Sequence, residues 1–489
     1  MSQAVLQSVP HVAAAADTLP ETDPALVRRV FEAQRATALR WRTSTAAERI
    51  VRLQRLRDAV LAHQDALHAA FAQDMRKNVM EVDGNEILPV LAEVRDAVSE
   101  IKGWMKRRRV GPTRLTLGNS AWIEYQPRGR SLIVAPWNFP LNLSLVPLIS
   151  ALAAGCPAIV KPSEMAPRVS RVIARIIESA FPAEEVAVMQ GGLPTSQALL
   201  DLPFDHIFFT GSPAIGRSVM AAAAKHLASV TLELGGKSPT IVDETADIPR
   251  AAANLMWGKL TNSGQICLAP DYVYVHESVK QRFIDACLQV IRERYGADAQ
   301  KSPDLTRIVN RRHTQRIAAL LDDARERGAR VLCGGQVDTA DCYVAPTLLA
   351  DVPLDAKVMQ EEIFGPLLPI HGYTSLDAVI EEINARPKPL ALYIWSDDRR
   401  RAQYVIDRTS SGGVCINHCI LHVQHGHLPF GGVNESGLGS CHGHFGFKAF
   451  SHERAVLRSW KALMPVKYFY APYTPQKLKM VQLFMKLMR

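Results

Sequence analysis

The amino-acid sequence predicts an α/β protein built on doubly wound parallel sheet, with more than one domain. Three observations lead there. Between residues 131 and 236, short apolar runs alternate with amphipathic stretches, and a second alternating stretch runs from about 250 to 428. That pattern requires parallel strands covered by helices. The third is length: 489 residues exceed one ordinary core and set two or three domains as the expectation.

The elements follow in order. From Pro24 to about Trp104 the periodicity is helical, and Thr45-Ala46-Ala47-Glu48 has capping-box form ahead of Ile50, Leu53, Leu56 and Val60. Residues 118–130 alternate, as in Ala121-Trp122-Ile123-Glu124-Tyr125, and read as a hairpin arm that feeds a buried strand at Ser131–Ala135. Strands are predicted at 158–160, 185–189, 206–210 and 230–233, with helices at about 168–179, 196–200 and 215–226 between them. The second stretch gives helices at 247–260, 277–295, 311–327, 375–385 and 398–407. Its strands fall at 271–276, 343–349, 366–371, 389–395 and 413–416.

Composition narrows the function classes. A hydrophobic fraction of 47% with 21% charged residues describes a globular chain, and no run of about 18 apolar residues offers a spanning helix. The eight cysteines are scattered behind no secretory signal, so reduced thiols and a cytoplasmic location are expected. The first twenty residues read as a frayed or partner-contacting extension. Net charge is +9, but basic clusters such as Lys106–Arg109 and Arg399–Arg401 are interspersed with acidic stretches. Solvated helix faces explain them better than nucleic acid does, and no nucleic-acid partner is expected.

Four segments carry chemistry. Cys267 ends Asn262-Ser263-Gly264-Gln265-Ile266-Cys267, where small residues leave room for a turn and a close ligand. Glu233 stands between an apolar strand and Gly235-Gly236-Lys237; it is either a general base or a strand-end salt bridge with Lys237. Asn138, in Pro136-Trp137-Asn138-Phe139-Pro140, is a rigidly held amide donor or a turn residue. Lys161-Pro162-Ser163-Glu164 follows a strand, where ligands of open α/β sheets bind. A nucleophile with a separate carboxylate suits the formation and hydrolysis of a thioester.

Together these segments resemble the NAD(P)-dependent aldehyde dehydrogenase superfamily, over roughly residues 25 to 475. The endings Ser436-Gly437-Leu438-Gly439, Phe450-Ser451-His452-Glu453 and Ala471-Pro472-Tyr473-Thr474-Pro475 are most similar to its class 3 and coniferyl-type branches. The resemblance implies a cofactor domain in parts (1–117, 131–236 and a return at 431–449), an oligomerisation arm (118–130) and a catalytic domain (237–430). The remainder, 450–489, would hold an arm strand and a basic amphipathic C-terminal segment. It implies Cys267 as nucleophile, Glu233 as general base and Asn138 as oxyanion donor. It further implies a cofactor site formed by Trp137, Lys161, Ser163, Glu164, Gly211, Ser212, Glu362 and Phe364, with Gly216 as packing.

The expected cofactor is NAD, with NADP as the alternative, because Glu164 would repel a 2′-phosphate. The implied substrate is a fatty, medium- or long-chain, or aromatic aldehyde, oxidised to the acid by a homodimer or higher homo-oligomer. Acyl transfer to coenzyme A is the second enzymatic reading, and a catalytically silent binding relative the third. The mixed basic and apolar stretch from Lys477 to Arg489 suits a partner subunit, the substrate entrance or a membrane surface. Cys415, His418, Cys419, His422, His425, His427, Cys441, His442 and His444 look like metal ligands by composition, but their spacing fits no structural zinc frame, and no metal is expected.

Overall fold

The computed structural model describes residues 18–113, 116–459 and 469–487. Most of the N-terminal extension therefore lies outside the described residues, as do the last two residues of the C-terminal segment.

The first sheet has six strands, in the order Gly437–Leu438, Ser229–Leu234, His206–Gly211, Ser131–Val134, Ala158–Lys161, Val186–Val188. All pair in parallel except Gly437–Leu438, which runs antiparallel to Ser229–Leu234. Side chains alternate between two cores. Ile133, Val160 and Phe208 meet the helices Ala46–Ala62, Leu88–Trp104, Asn142–Ala154 and Pro167–Ala180 on one face. Leu132, Ile159 and Ile207 meet Pro24–Trp41, Leu193–Leu200 and Pro213–Ala224 on the other. Burial on both faces explains why these strands read as continuous apolar runs. The winding direction reverses between Ser131–Val134 and His206–Gly211, the topological position where such sheets bind ligands at their carboxyl ends.

The second sheet has seven strands: Arg330–Cys333, Thr347–Ala350, Leu367–Tyr373, Tyr272–His276, Pro239–Val242, Ala391–Trp395 and Gly413–Ile416. Only Arg330–Cys333 is antiparallel to its neighbour. A third, antiparallel sheet joins Arg108–Val110, Asn119–Pro127 and Ser451–Ser459.

Several elements match the sequence reading. The capping box is formed: Thr45 N–H donates to Glu48 at 2.7 Å, and Glu48 N–H donates to the Thr45 hydroxyl at 3.3 Å. The predicted strand at 343–349 is broken. Pro346 lacks a backbone N–H, so Tyr343–Val344 pairs with Val337–Asp338 while Thr347–Ala350 joins the large sheet. Among the elements with no signal in the periodicity, two have a plain physical reason. Helix Asn142–Ala154 is buried at every position from Ser144 to Ala154 and contains Pro147, so it shows no polar face. Strand Pro239–Val242 is only four residues and begins with proline.

Candidate active site

Four of the parallel strands in the first sheet end on one rim. Ser131–Val134 leads into Trp137 and Asn138, Ala158–Lys161 into Ser163 and Glu164, His206–Gly211 into Ser212, and Ser229–Leu234 carries Glu233. The Cys267 loop faces this rim from the second sheet's domain.

The loop is a strained turn held from several sides. Asn262, Ser263 and Gly264 are consecutively left-handed, with φ of 50°, 50° and 75°. Such a run is unfavourable for side-chain-bearing residues and persists only when its surroundings over-determine it. Here they do. Gln265 Nε2 donates to the Asn262 carbonyl at 2.8 Å and to the Arg307 carbonyl at 3.1 Å, while its Oε1 accepts from Val309 N–H at 2.9 Å. The Ser263 hydroxyl donates to the Thr306 carbonyl. A Cβ on Gly264 would lie 2.4 Å from the Gly365 carbonyl oxygen, so glycine is required there for space as well as for φ.

Asn138 is bound into the same turn. Its Nδ2 donates to the Gln265 carbonyl at 3.0 Å, and its carbonyl accepts from Asn262 Nδ2 at 2.9 Å. One amide N–H is thus spent on orientation, leaving the second as a donor. Beneath it lies a fully buried ion pair, Lys77–Glu86 at 3.0 Å, with Lys77 reaching the Asn138 carbonyl at 3.5 Å. Glu86 comes from a π-helical turn, Asp83–Ile87. The sequence reading gave no role to Gln265, Lys77 or Glu86. A glutamine two residues before the thiol was visible, but its buried bonds to residues 307 and 309 were not.

Cys267 is half-buried and packs, like Trp137 and Trp257, against the main core of the first sheet's domain. Its pKa is pushed up to about 12, by burial first and then by the carboxylates of Glu362 and Glu233, despite backbone N–H groups of residues 267 and 268 that favour the thiolate. The thiol is thus held largely protonated at neutral pH in the ligand-free protein. Alkylation of Cys267 by iodoacetamide in the ligand-free protein should therefore accelerate about tenfold per pH unit between pH 7 and 10. The variant Glu362→Gln should alkylate faster above about pH 8, where Glu362 is ionised, read by peptide mass; a plateau below pH 9 would show that the thiol is not raised.

Glu233 is 5% exposed, and neither carboxylate oxygen has a hydrogen-bond partner among the described residues. Burial raises its pKa well above the ordinary carboxylate value, and the one polar group acting against this is the Cys441 thiol. The salt bridge with Lys237 is not made: Lys237 pairs with Asp271 instead.

Glu362 packs its carboxylate over the backbone of Gly235, where a Cβ would lie 2.3 Å from an oxygen. Burial, then the Asp271 charge, pushes its pKa up to about 8. Its buried Oε1 has no hydrogen-bond partner among the described residues. Trp137 and Phe364 meet edge-to-face at 5.3 Å, and His313, absent from the sequence candidates, lies tilted against Trp137 at 4.9 Å.

The adenosine-side candidates form a second group. Lys161 Nζ donates to Glu164 at 3.1 Å and to the Pro162 carbonyl at 3.1 Å. The Ser163 hydroxyl is engaged locally, accepting from Met165 N–H at 3.3 Å. Ser212 caps helix Pro213–Ala224, accepting from Ile215 N–H. A Cβ on Gly211 would lie 2.5 Å from the Phe209 ring, and one on Gly216 would lie 2.8 Å from Leu234, which makes Gly216 a packing residue.

The His- and Cys-rich stretch is distributed rather than convergent. Cys419 donates to the Asn254 carbonyl at 3.1 Å, and Cys441 lies 3.1 Å from His442 Nδ1. Among the described residues no three His, Cys, Asp or Glu side chains gather as a cation-binding group.

A doubly wound sheet whose strand ends face a thiol and a buried carboxylate has the architecture of a dinucleotide-dependent dehydrogenase. The chain belongs to the aldehyde dehydrogenase family, whose model matches residues 4–456. It is 43% identical over 461 residues to human aldehyde dehydrogenase family 3 member B1, covering 94% of this chain and 97% of that protein. It is 43% identical over 434 residues to 4,4′-diaponeurosporen-aldehyde dehydrogenase of Staphylococcus aureus, covering 89% and 94%. A structure of the substrate-bound state of Staphylococcus aureus AldH superposes with a TM-score of 0.89 at 41% identity, over 94% of this chain and 99% of that one. The protein is thus an aldehyde-oxidising oxidoreductase of the class 3-like branch, a family that uses NAD or NADP.

Proposed function

We propose that this chain oxidises fatty or aromatic aldehydes to carboxylic acids through a thioester on Cys267. The observation that carries the reading is the isolation of Glu233: a buried carboxylate with no cation beside it among the described residues, and with only the weak Cys441 thiol as a polar neighbour, is a base kept for a proton it must receive. The relatives named for a long carotenoid aldehyde and for family 3 support an extended apolar substrate.

The residues fit a dinucleotide. The unpartnered Glu362 oxygen can accept from a ribose hydroxyl, and Gly235 leaves room for that carboxylate to approach. Lys161 and Glu164 can bond the other ribose, and the capped start of helix Pro213–Ala224 favours phosphate. A bound nicotinamide supplies the hydride acceptor.

The chain's own groups do the rest. Cys267 Sγ attacks the carbonyl carbon, and its proton leaves to solvent or to Glu233. The second N–H of Asn138 Nδ2 and the Cys267 backbone N–H stabilise the oxyanion. Loss of the carbonyl hydrogen with its electron pair leaves an acyl group on Sγ. Glu233 takes a proton from water, whose oxygen attacks the thioester, and the acid departs with the thiolate restored. A carboxylate with a raised pKa is a better proton acceptor for this step than an ordinary one.

The exposed edge of Ser451–Ser459 supports a homodimer built through the small sheet. Exposed Leu478, Leu483 and Met485 on helix Pro475–Leu487 leave an apolar surface for a partner subunit, the substrate entrance or a membrane. No helix among the described residues is long and apolar enough to cross a membrane.

The deciding experiment supplies NAD and decanal without coenzyme A and follows decanoic acid. The expected result is one acid formed per NADH, at a rate that added coenzyme A leaves unchanged. A strict requirement for coenzyme A, with decanoyl-CoA as product, would replace this reading with the acyl-transfer one.

A further inference from the structure

The N-terminal segment reaches the adenosine side of the rim. Thr22 N–H donates to the Gln190 carbonyl at 3.1 Å, and Leu19 is buried, so the segment is anchored just beyond strand Val186–Val188. This anchoring delivers Glu21 to the start of helix Leu193–Leu200. One oxygen accepts from Gly192 N–H at 2.9 Å; the other accepts from Thr195 N–H at 3.1 Å and from the Thr195 hydroxyl at 2.6 Å. The residue at the N-cap itself, Gly192, has no side chain to do this. Glu21 has therefore taken the helix amides that an anionic ligand would otherwise use.

Glu164 stands beside it. A Cβ built on Gly192 would lie 3.1 Å from a Glu21 oxygen and 4.0 Å from Glu164 Cγ, so the two carboxylate side chains flank one residue. Lys161 already pairs with Glu164 at 3.1 Å. These three charges sum to one negative. The Thr195 hydroxyl foremost, and then the two amides and the Lys161 charge, holds Glu21 below the usual carboxylate range, so it is ionised throughout the working pH range.

We infer that Glu21 is a specificity residue that disfavours NADP. The inference rests on the proposed dinucleotide site, where Glu164 follows the second strand of the doubly wound sheet, the position that meets the adenosine ribose. A 2′-phosphate there would bring about two negative charges next to two carboxylates. The nearby helix amides are occupied, and the one ammonium is already paired. Glu21 is solvent-exposed, so its share of the discrimination is modest, about tenfold, and sensitive to salt.

The test titrates wild type and Glu21→Gln with NADH and with NADPH, following nicotinamide fluorescence at 50 and 500 mM salt. The readout is the ratio of the two dissociation constants, so a general loosening of the segment cancels. Wild type should bind NADH at least about tenfold more tightly than NADPH at low salt. That ratio should shrink about fivefold or more in Glu21→Gln, and in wild type it should also shrink at high salt. A wild-type ratio near one, or a ratio that neither the substitution nor salt moves, overturns the inference. Aldehyde oxidation is scored separately: its absence would reject the proposed function, while an unmoved ratio in an active enzyme would reject only the role of Glu21.

Discussion

Cys267→Ala should lose aldehyde oxidation by at least about 10⁴-fold while still binding NADH as wild type does. The loss is this large because neither Cys419 nor Cys441 is placed to replace the sulfur. Cys419 donates its thiol to the Asn254 carbonyl, and Cys441 is deeply buried, its pKa raised by burial and then by Glu233. Alanine removes the sulfur and leaves the hydrogen bonds of the Asn262–Gln265 turn intact, because those use backbone and other side chains. The check pairs steady-state NADH production with fluorescence titration of NADH. Residual turnover above about 1% would place the nucleophile elsewhere.

The second large effect is expected for Glu233→Gln. Thioester hydrolysis should slow by about 10²- to 10⁴-fold, while the first turnover of hydride transfer survives as a burst of about one NADH per site. The pH dependence follows from the raised pKa. Glu233 is protonated, and inactive as a base, at low pH; it becomes competent as pH rises through its folded-state value, which burial places well above 4.5. Wild-type deacylation should therefore climb with pH over a range above the ordinary carboxylate one and then level off. The glutamine variant has nothing to titrate there and should show no such limb. Stopped-flow absorbance at 340 nm across pH separates the two steps. A variant that lacks the burst, or keeps the wild-type limb, would show that another group is the base.

The sheet framework was legible because strands buried on both faces are largely apolar along their length, as in Ala391–Trp395. Helix Asn142–Ala154 was illegible for the same reason: buried on all sides, it offers no periodicity to read. The chemistry-bearing residues were legible through family motifs, since each motif is contiguous. Their support was not. The Gln265 clamp to Arg307 and Val309, the Lys77–Glu86 pair under Asn138 and the Glu21 cap on a helix 172 residues away are all long-range bonds. Sequence spacing carries no trace of them. The missing cation beside Glu233 is also a property of tertiary packing; in the sequence a bond to Lys237 stands as the alternative to the general-base role.

The proposed covalent route is tested most directly by the mass of the enzyme itself. Glu233→Gln is mixed with NAD and decanal, quenched in acid within one turnover and digested. The account predicts a decanoyl adduct on the peptide that contains Cys267, absent when NAD is omitted, because the acyl oxidation state requires hydride loss. An unmodified Cys267 peptide alongside measured NADH release, or the adduct on any other residue, would contradict it.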